Sequence, residues 1–533
     1  MGRRQTAAFA VAALAVRLAH LAFLRGSPLF RCPVVDASWH HQWAELVAGG
    51  SPLAYAPYFR APLYPWLLGA VYRLTGSSLI VGACLSALMA AVSTALLHRI
   101  ALRASRSARV AAFCALAWAL WGTDVLYSTS LLITPLYILL LLTAFLQTER
   151  RGISAWPALG LAAIARPTAL LALPAMLARR RPGLRSVLLF LLPVLAVWAV
   201  NALAGDPLTI VSSQGGVNLY IGNSRDADGI TPFAPLATGA VAVPDDDLPY
   251  HDNVETASRA GYVAAGGEAG DPPSRVSSYW MGQALASVGG SPGRWILLEA
   301  RKLLHLLSPV EVPGNYDPYY MRRLSPVLAA LVWPPPLFGP LLLLWLLVPG
   351  ALVVTLRGEA PGTAMRALAW AGLLSLGSLL FFVTARMRLP LVPFLLVWAA
   401  ASAARRSRLS LRLAPVGLAA GMLLSLVTSE SVARSGVNME FYDGLAHYRD
   451  GQPERARELF LAAVQRSSAR RELDMNGTEA LYNLGVIAAR RGRMAEAASW
   501  WRAALRRQPG HPAASAALEA LGDAGPAGVD PLE

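Results

Sequence analysis

The chain has 533 residues, of which 55% are hydrophobic and only 15% charged, and its formal net charge at pH 7 is +15. A mean hydropathy of +0.44 excludes an ordinary soluble domain, and long apolar runs separated by short basic loops identify a polytopic helical membrane protein. The arginines are scattered through those loops and not gathered on one face, so the charge argues for membrane topology and against a nucleic-acid partner.

A helix needs about 20 residues to cross a hydrocarbon core ~30 Å thick. In chain order, the runs that qualify are 7–24, 77–101, 108–127, 130–147, 184–204, 326–356, 363–384, 388–404 and 411–428. The first has a basic start at Arg3 and Arg4, but Arg17 and His20 interrupt it and no small-residue cleavage site follows, so it reads as a signal-anchor. Cys32, Cys84 and Cys114 are the only cysteines and just one lies outside a run, which leaves no disulfide framework or cysteine metal site. The apolar stretch 153–178 is broken at Arg166-Pro167 and has Arg150, Arg151, Arg179, Arg180, Arg181 and Arg185 beyond its ends. It is expected to be a hairpin of two half-length helices with Pro167 at its outer apex, because a helix tends to end before proline. The expectation is an all-α polytopic fold with about eleven transmembrane helices.

Basic loops at Arg99–Arg109, Arg150–Arg151, Arg179–Arg185, Arg357–Arg366 and Arg405–Arg412 are cytoplasmic by the positive-inside rule, as is the N-terminus. Residues 25–76, the turn around Asp124, a Gly/Asp/Pro/Ser-rich segment over 205–295 and everything after about 429 then lie outside. Asp36, Glu45, Asp124, Asp206, Asp226, Asp228, Asp245, Asp246, Asp247, Glu311 and Asp317 concentrate there, so any chemistry is expected on the outer face.

Residues 429–522 form a separate module, followed by a flexible tail over 523–533. "YNLGVIAARRGRMAEAASWWRAALRRQPGH" carries Leu484, Gly485, Gly492, Ala497, Trp501, Ala504 and Pro509 at tetratricopeptide (TPR) spacing: small residues let paired helices approach, and Trp501 fills the gap. Upstream, "GLAHYRDGQPERARELFLAAV" repeats Gly444, Gly451, Ala456, Phe460 and Ala463. Two repeats fall short of the roughly three that a free-standing solenoid needs, so they must pack on the rest of the protein or on another chain.

The first outer loop, "CPVVDASWHHQWAELVAGGSPLAYAPYFRAPLYPWLLG", holds a lone aspartate, Asp36. Aspartate is a favoured N-cap, so it would cap a helix starting at Ala37. A carboxylate near a low-dielectric boundary also holds a proton more readily, which suits a general base. On that helix His40 would face Asp36 at i+4, while His41 points about 100° away. His40 reads as an interfacial hydrogen-bonding side chain; two histidines without a second acidic partner are weak evidence for a metal. Arg386 and Arg388 stand at the outer start of a span, Arg166 at the hairpin apex, and Lys302 is the only lysine. Such groups at membrane segments are expensive and count as functional candidates, with snorkelling as the alternative.

In order and position these stretches resemble the GT-C glycosyltransferases, in particular the branch of the protein O-mannosyltransferases and the lipid A aminoarabinose transferase. After the Asp-bearing loop ending in "FRAPLYPWLLG", "GLAAIARPTALLALP" resembles that family's Arg-Pro segment and "GGVNLYIGNSRDADG" its external Gly-Asn segment. "ARKLLHLLSPVEVPGNYD" resembles its Lys…Glu-x-Pro-x-Asn-Tyr stretch, and "TARMRLPLVPFLL" its late Arg-x-Arg-x-Pro motif, over roughly residues 7–428. The resemblance implies a GT-C-like domain over 1–428, including the first external loop 25–76 and the long external loop 205–295. It further implies a polyprenyl-phosphate-linked sugar donor, a protein or lipid acceptor, and inverting transfer on the outer face of a bacterial-type inner membrane.

By the same resemblance Asp36 is the general base, with Asp124 as second catalytic carboxylate. Arg166, Lys302, Arg386 and Arg388 would hold the donor phosphate, and His40, Tyr64, Asn218, Asn223 and Glu311 would line the acceptor side or the site. The family carries an acidic residue near the start of the fourth span; here that stretch has Ser128 and Ser130, and Asp124 is expected to stand in. No metal ligand is assigned, and a divalent cation is the one cofactor left open. Membrane lipids and a protein partner bound through the TPR region complete the expected partners. Two rivals come from other classes. A secondary transporter would need paired broken helices, and only one is present. A catalytically inactive scaffold would use its repeats to recruit envelope partners.

Overall fold

The computed structural model describes residues 2–179, 181–231, 254–334, 341–435, 438–468 and 475–521, and every regular element among them is helical. Arg180, Asp245, Asp246, Asp247 and the 523–533 tail lie outside the described residues. The chain begins with α1 (Gly2–Leu24), a short α2 (Pro28–Arg31), α3 (Val35–Ala48), α4 (Leu63–Thr75), α5 (Leu79–Ser105) and α6 (Ala108–Ala119). Ser78 and Ser107 start the last two, their hydroxyls accepting from the N–H of Val81 and Val110 and satisfying donors that a helix start leaves open. Next come α7 (Gly122–Tyr127), α8 (Thr134–Glu149) and α9 (Ala155–Ala165). α9 stops because Arg166 is extended ahead of Pro167, and a 3-10 stretch, Pro167–Ala172, leads into α10 (Leu173–Arg179).

The middle of the chain forms α11 (Leu184–Leu203), α12 (Gly215–Asn223), α13 (Val254–Ala264), α14 (Pro273–Gly290), α15 (Pro292–Leu307), α16 (Pro318–Met321) and α17 (Pro326–Leu331). Then come α18 (Leu341–Leu356), α19 (Gly362–Leu380), the short α20 (Ala385–Arg388), α21 (Val392–Ala403) and α22 (Ser407–Ser435). Five polar-surfaced helices end the chain: α23 (Met439–Arg449), α24 (Pro453–Ser468), α25 (Met475–Arg490), α26 (Met494–Arg507) and α27 (Pro512–Ala520).

These helices form two compact units. The first comprises Met1–Arg25, Trp39–Pro232 and Pro272–Gly436; the second comprises Gly26–Ser38, Phe233–Asp271 and Val437–Glu533, in their described parts. The start of the first outer loop thus groups with the C-terminal helices, and α22 continues past residue 428 to Ser435. α1 from Arg3, α5, α11, α19 and the run Ala385–Ala433 are long and apolar enough to cross a membrane. α6, α8, α9, the Pro167–Arg179 segment and α18 are apolar but shorter. The single run expected over 326–356 is divided, since α17 ends at Leu331 and α18 begins at Leu341.

Polar contacts inside the first unit fall at two levels, and these order its loops. At one level Glu149, ending α8, accepts from Arg366 at 2.5 and 2.6 Å and from Thr363 at 2.7 Å, both at the start of α19. Arg103, near the end of α5, donates to the Glu149 carbonyl at 2.9 Å, and Arg179, ending α10, lies within electrostatic reach of the same carboxylate. At the other level Thr123 of α7 reaches Glu311, Arg388 of α20 reaches Ser308 and Glu311, and Ser308 meets Thr428 of α22 at 2.6 Å.

Because α8 and α10 end at the same level, the segment between them turns back. Gly160 of α9 approaches α11 so closely that a Cβ would lie 2.3 Å from the Phe190 carbonyl, and Ile164 joins Val197 in one apolar cluster. Contacts thus advance together along both helices: α9 and α11 run parallel, as a hairpin with its apex at Arg166-Pro167 requires.

In the second unit Gly444 and Gly485 occupy equivalent places: a Cβ would come 2.7 Å from Phe460 in one and 2.3 Å from Trp501 in the other. Each glycine lets a large ring fill the gap between paired helices, giving the hairpins α23–α24 and α25–α26. α27 packs on α26, and His511 caps it by accepting from Ala514 N–H at 3.1 Å while stacking on Tyr482.

Candidate functional site

Where α9 breaks, the first unit contains a cavity of about 170 Å³, far above the ~10–15 Å³ that a single water needs. Leu374, Phe381 and Leu391 make its apolar wall; Arg166, Tyr137, Thr168, Gln214 and Asn218 bring polar groups to it. The backbone puts Arg166 there, since it leaves the helix in an extended conformation ahead of a proline. Its guanidinium lies 5.6 Å from the centre of the Tyr137 ring and donates to Met387 Sδ at 3.5 Å. The Tyr137 hydroxyl is in turn fixed on Thr168 at 3.2 Å. A cation held over an aromatic face in a largely apolar cavity suits an anionic head group on an apolar chain.

Beside the cavity, Lys302 is fully buried and spends all three ammonium protons: on Glu299 at 2.6 Å, the Leu379 carbonyl at 2.8 Å and Asn223 Oδ1 at 3.1 Å. Burial pushes the Lys302 ammonium below its ordinary pKa, against the pull of Glu299. Asn223 also accepts from Trp295 and donates to the Leu219 and Leu380 carbonyls, so its amide is saturated. The pair pins α12 and α15 to the end of α19. Gly222 allows this approach; a Cβ there would lie 1.8 Å from the Phe381 carbonyl oxygen.

Arg388 and Glu311 form a second buried hub. Arg388 donates to the carbonyls of His305 (3.0 Å), Ser308 (2.6 Å) and Val310 (2.6 Å) and to Glu311 Oε2 (2.6 Å). Those four bonds use every terminal N–H of the fork, so in this arrangement Arg388 has none of them to offer a phosphate. Arg386 is partly buried two residues earlier, and both arginines act electrostatically on the buried Tyr127.

Asp124 is 1% exposed and ion-paired with Arg17 of α1, which also donates to Ser128 at 3.0 Å and to the Ala13 and Ala119 carbonyls. Ser130 donates to the Leu126 carbonyl at 2.9 Å, so neither serine replaces the carboxylate expected there. His40 donates to the Leu131 carbonyl at 2.8 Å and packs edge-on against Tyr64, whose hydroxyl meets Ser86 at 3.1 Å.

Asp36 is 8% exposed and belongs to the second unit. The helix expected to start at Ala37 begins at Val35, so Asp36 lies inside its first turn and is not its N-cap. Among the described residues no group of three or more His, Cys, Asp or Glu is placed to hold a metal ion.

Of the residues singled out in the sequence, the structure brings Arg166 near Asn218, Lys302 to Asn223, Arg388 to Glu311, and His40 to Tyr64. The sequence reading missed Tyr137 and Met387, whose apolar settings look like any span, and it took Arg17 only as an interruption of the first run.

A search of curated protein sequences finds no match. In structure, 97% of the chain is similar to 77% of a chain in the crystal structure of ArnT from Cupriavidus metallidurans bound to undecaprenyl phosphate, at 15% identity and a TM-score of 0.41. Residues 443–512 match the tetratricopeptide repeat family.

Proposed function

We propose that the chain is a membrane glycosyltransferase that moves a sugar from a polyprenyl-phosphate carrier to an acceptor hydroxyl or amine on the extracytoplasmic face. The observation that carries this reading is Arg166 at the wall of an apolar cavity, at the break of the Arg-Pro hairpin. A long apolar carrier ending in a phosphate pairs its charge with that guanidinium and its chain with the apolar wall. Asp36 is the proposed base. It takes the acceptor proton as the acceptor atom attacks the anomeric carbon; the bond to the carrier phosphate breaks, and the phosphate leaves with the electron pair. A single displacement of this kind inverts the anomeric centre. Arg166 stabilises the charge that develops on the phosphate. Lys302, Arg388 and Glu311, engaged by protein partners, hold α15, α19 and α20 around the cavity.

The test compares envelope glycans by mass spectrometry in deletion, parent, Asp36→Asn and Arg166→Gln strains at equal protein levels. Loss of one glycan in all three altered strains is expected; a parental glycan profile in both substituted strains removes the enzyme reading. That result would favour the scaffold instead, a reading supported by the engagement of Asp124 with Arg17 and by the serines at 128 and 130.

The reading also places the C-terminal unit outside an inner membrane, with the N-terminus inside. It is supported by the basic loops and by the Thr428–Ser308 contact near the end of α22. Ser515→Cys in a cysteine-free background should be labelled in intact cells by an impermeant thiol reagent once any outer membrane is permeabilised. Labelling only after the inner membrane is broken would reverse the topology.

A further inference from the structure

The second unit joins two parts of the chain far apart in sequence, the TPR helices and the segment Gly26–Ser38 that carries Asp36. α2 packs on α23, with Pro28, Leu29 and Phe30 buried. Arg31 grips the turn after α23 with both arms of its fork: Nε to Asp450 Oδ1 at 2.9 Å and Nη2 to Asp450 Oδ2 at 2.6 Å. Its third nitrogen, Nη1, donates to the Gly26 carbonyl at 2.6 Å and ties the segment into a closed loop. The Asp450 carboxylate is itself held, since Gln452 donates to it at 2.6 Å and His447 bonds Gln452 at 2.9 Å.

This contact is particular to the first repeat. Asp450 precedes Gly451 in the turn of the first hairpin; in the second, the place before Gly492 is taken by Arg491, of opposite charge. The held segment also carries strain next to the candidate base. Val35 has φ +54°, a left-handed conformation that a β-branched residue adopts only where its surroundings impose it. Val35 opens α3, and Asp36 follows it.

We propose that Arg31 and Asp450 are positioning residues, through which the first TPR hairpin fixes the start of α3 and so sets where Asp36 points. The inference rests on the reading of Asp36 as base. It gives the TPR region a role inside the chain: its first hairpin is part of the apparatus that orients a functional carboxylate. Whatever loosens that hairpin then lowers transfer without touching the donor cavity.

The experiment uses full-length protein in native membranes, with Arg31→Glu, Asp450→Arg, the double charge exchange, and Asp36→Asn. Cys32 is partly buried and follows Arg31 directly, so its alkylation by N-ethylmaleimide, read by peptide mass spectrometry, reports whether the segment is docked. Each single exchange should raise Cys32 labelling about two- to fivefold, the range expected for an exposed ion pair turned repulsive. Each should lower the strain's glycan product about tenfold or more, since misplacing a reacting group by ~1 Å costs on the order of 100-fold. The double exchange should restore both readouts, which general damage to the fold would not allow. Asp36→Asn should abolish product and leave labelling at the parental level. Unchanged labelling in both single variants overturns the proposal, as does raised labelling with undiminished product. Full product in Asp36→Asn removes the base and with it the positioning role, and parental labelling there still reports the docking separately.

Discussion

Arg388 separates a structural from a ligand-binding use of a membrane arginine. Replacing it by glutamine removes four donors at once, leaving the carbonyls of His305, Ser308 and Val310 and one oxygen of Glu311 without their present partner. Both side chains of the ion pair are nearly inaccessible, at 3% and 2%, so water cannot replace the lost bonds. Stripping one partner from a buried pair costs about 3–5 kcal/mol, most of it the penalty of the charge left behind. We expect Arg388→Gln to lose about 4 kcal/mol of stability. Arg388→Lys should recover only part, because a single ammonium cannot span four acceptors that a planar fork reaches together. Glu311→Gln should cost less than Arg388→Gln, since the arginine keeps its three carbonyls. The assay is unfolding of purified protein in mixed micelles with increasing dodecyl sulfate, followed by tryptophan fluorescence. Parental stability of Arg388→Gln, together with lost binding of a polyprenyl phosphate, would refute the reasoning and return the residue to the donor site.

Other variants probe separate links of the argument. Gly222→Ala puts a Cβ 1.8 Å from the Phe381 carbonyl oxygen, so α12 must shift; a lower folded yield in fluorescence size-exclusion chromatography is expected. Arg166→Gln should keep the parental elution profile while losing glycan product, because the residue stands at the wall of the proposed donor cavity. Trp501→Ala, which empties the space beside Gly485, should cost about 3–5 kcal/mol and expose the C-terminal repeats to limited proteolysis of the intact chain. The Arg31–Asp450 contact should also open in acid. The arginine, through its hydrogen bonds, holds the Asp450 carboxyl below its usual range; Arg449 and His447 on the TPR side and Cys32 beside Arg31 are the other ionisable groups near it. The pair therefore contributes fully above the ordinary carboxylate pKa of ~3.9 and is lost as pH falls through the lower folded value. Cys32 labelling measured at fixed thiolate concentration should rise only in that acid window.

The TPR repeats were legible because their chemistry is local: Gly444 with Phe460, and Gly485 with Trp501, each sit within one hairpin whose spacing survives in the sequence. The hairpin at Arg166-Pro167 was legible for a similar reason, a proline that stops a helix between two basic ends. The sequence also marked Lys302, Arg388 and Asp124 as unusual, and there its reach ended. What each cation touches depends on contacts between residues far apart in the chain, as Arg17 with Asp124 and Arg388 with His305 illustrate. A charged side chain in an apolar run has the same appearance whether its partner is a ligand or a carbonyl on another helix. The grouping of Gly26–Ser38 with the TPR helices was equally hidden, because no pattern in either segment announces the other.

Counting donors resolves part of that ambiguity. An ionised group in a low-dielectric interior must have its bonding capacity satisfied, so each buried cation can be asked how many N–H groups its protein partners already occupy. Lys302 spends three of three. Arg388 spends all four of its terminal N–H groups and leaves only its buried Nε without a partner among the described residues, and Arg17 has acceptors at Nε, Nη1 and Nη2. These three work as fasteners between helices, and a ligand would have to displace a carbonyl or a carboxylate to reach them. Arg166 stands at a cavity wall, and its contacts include a thioether, which is a weak acceptor, and the face of Tyr137. A phosphate oxygen competes easily with a thioether for a guanidinium N–H and does not compete at all with the ring face. The setting at the cavity wall supports the proposal of Arg166 as the donor contact, while Lys302, Arg388 and Arg17 join helices through the bonds they make.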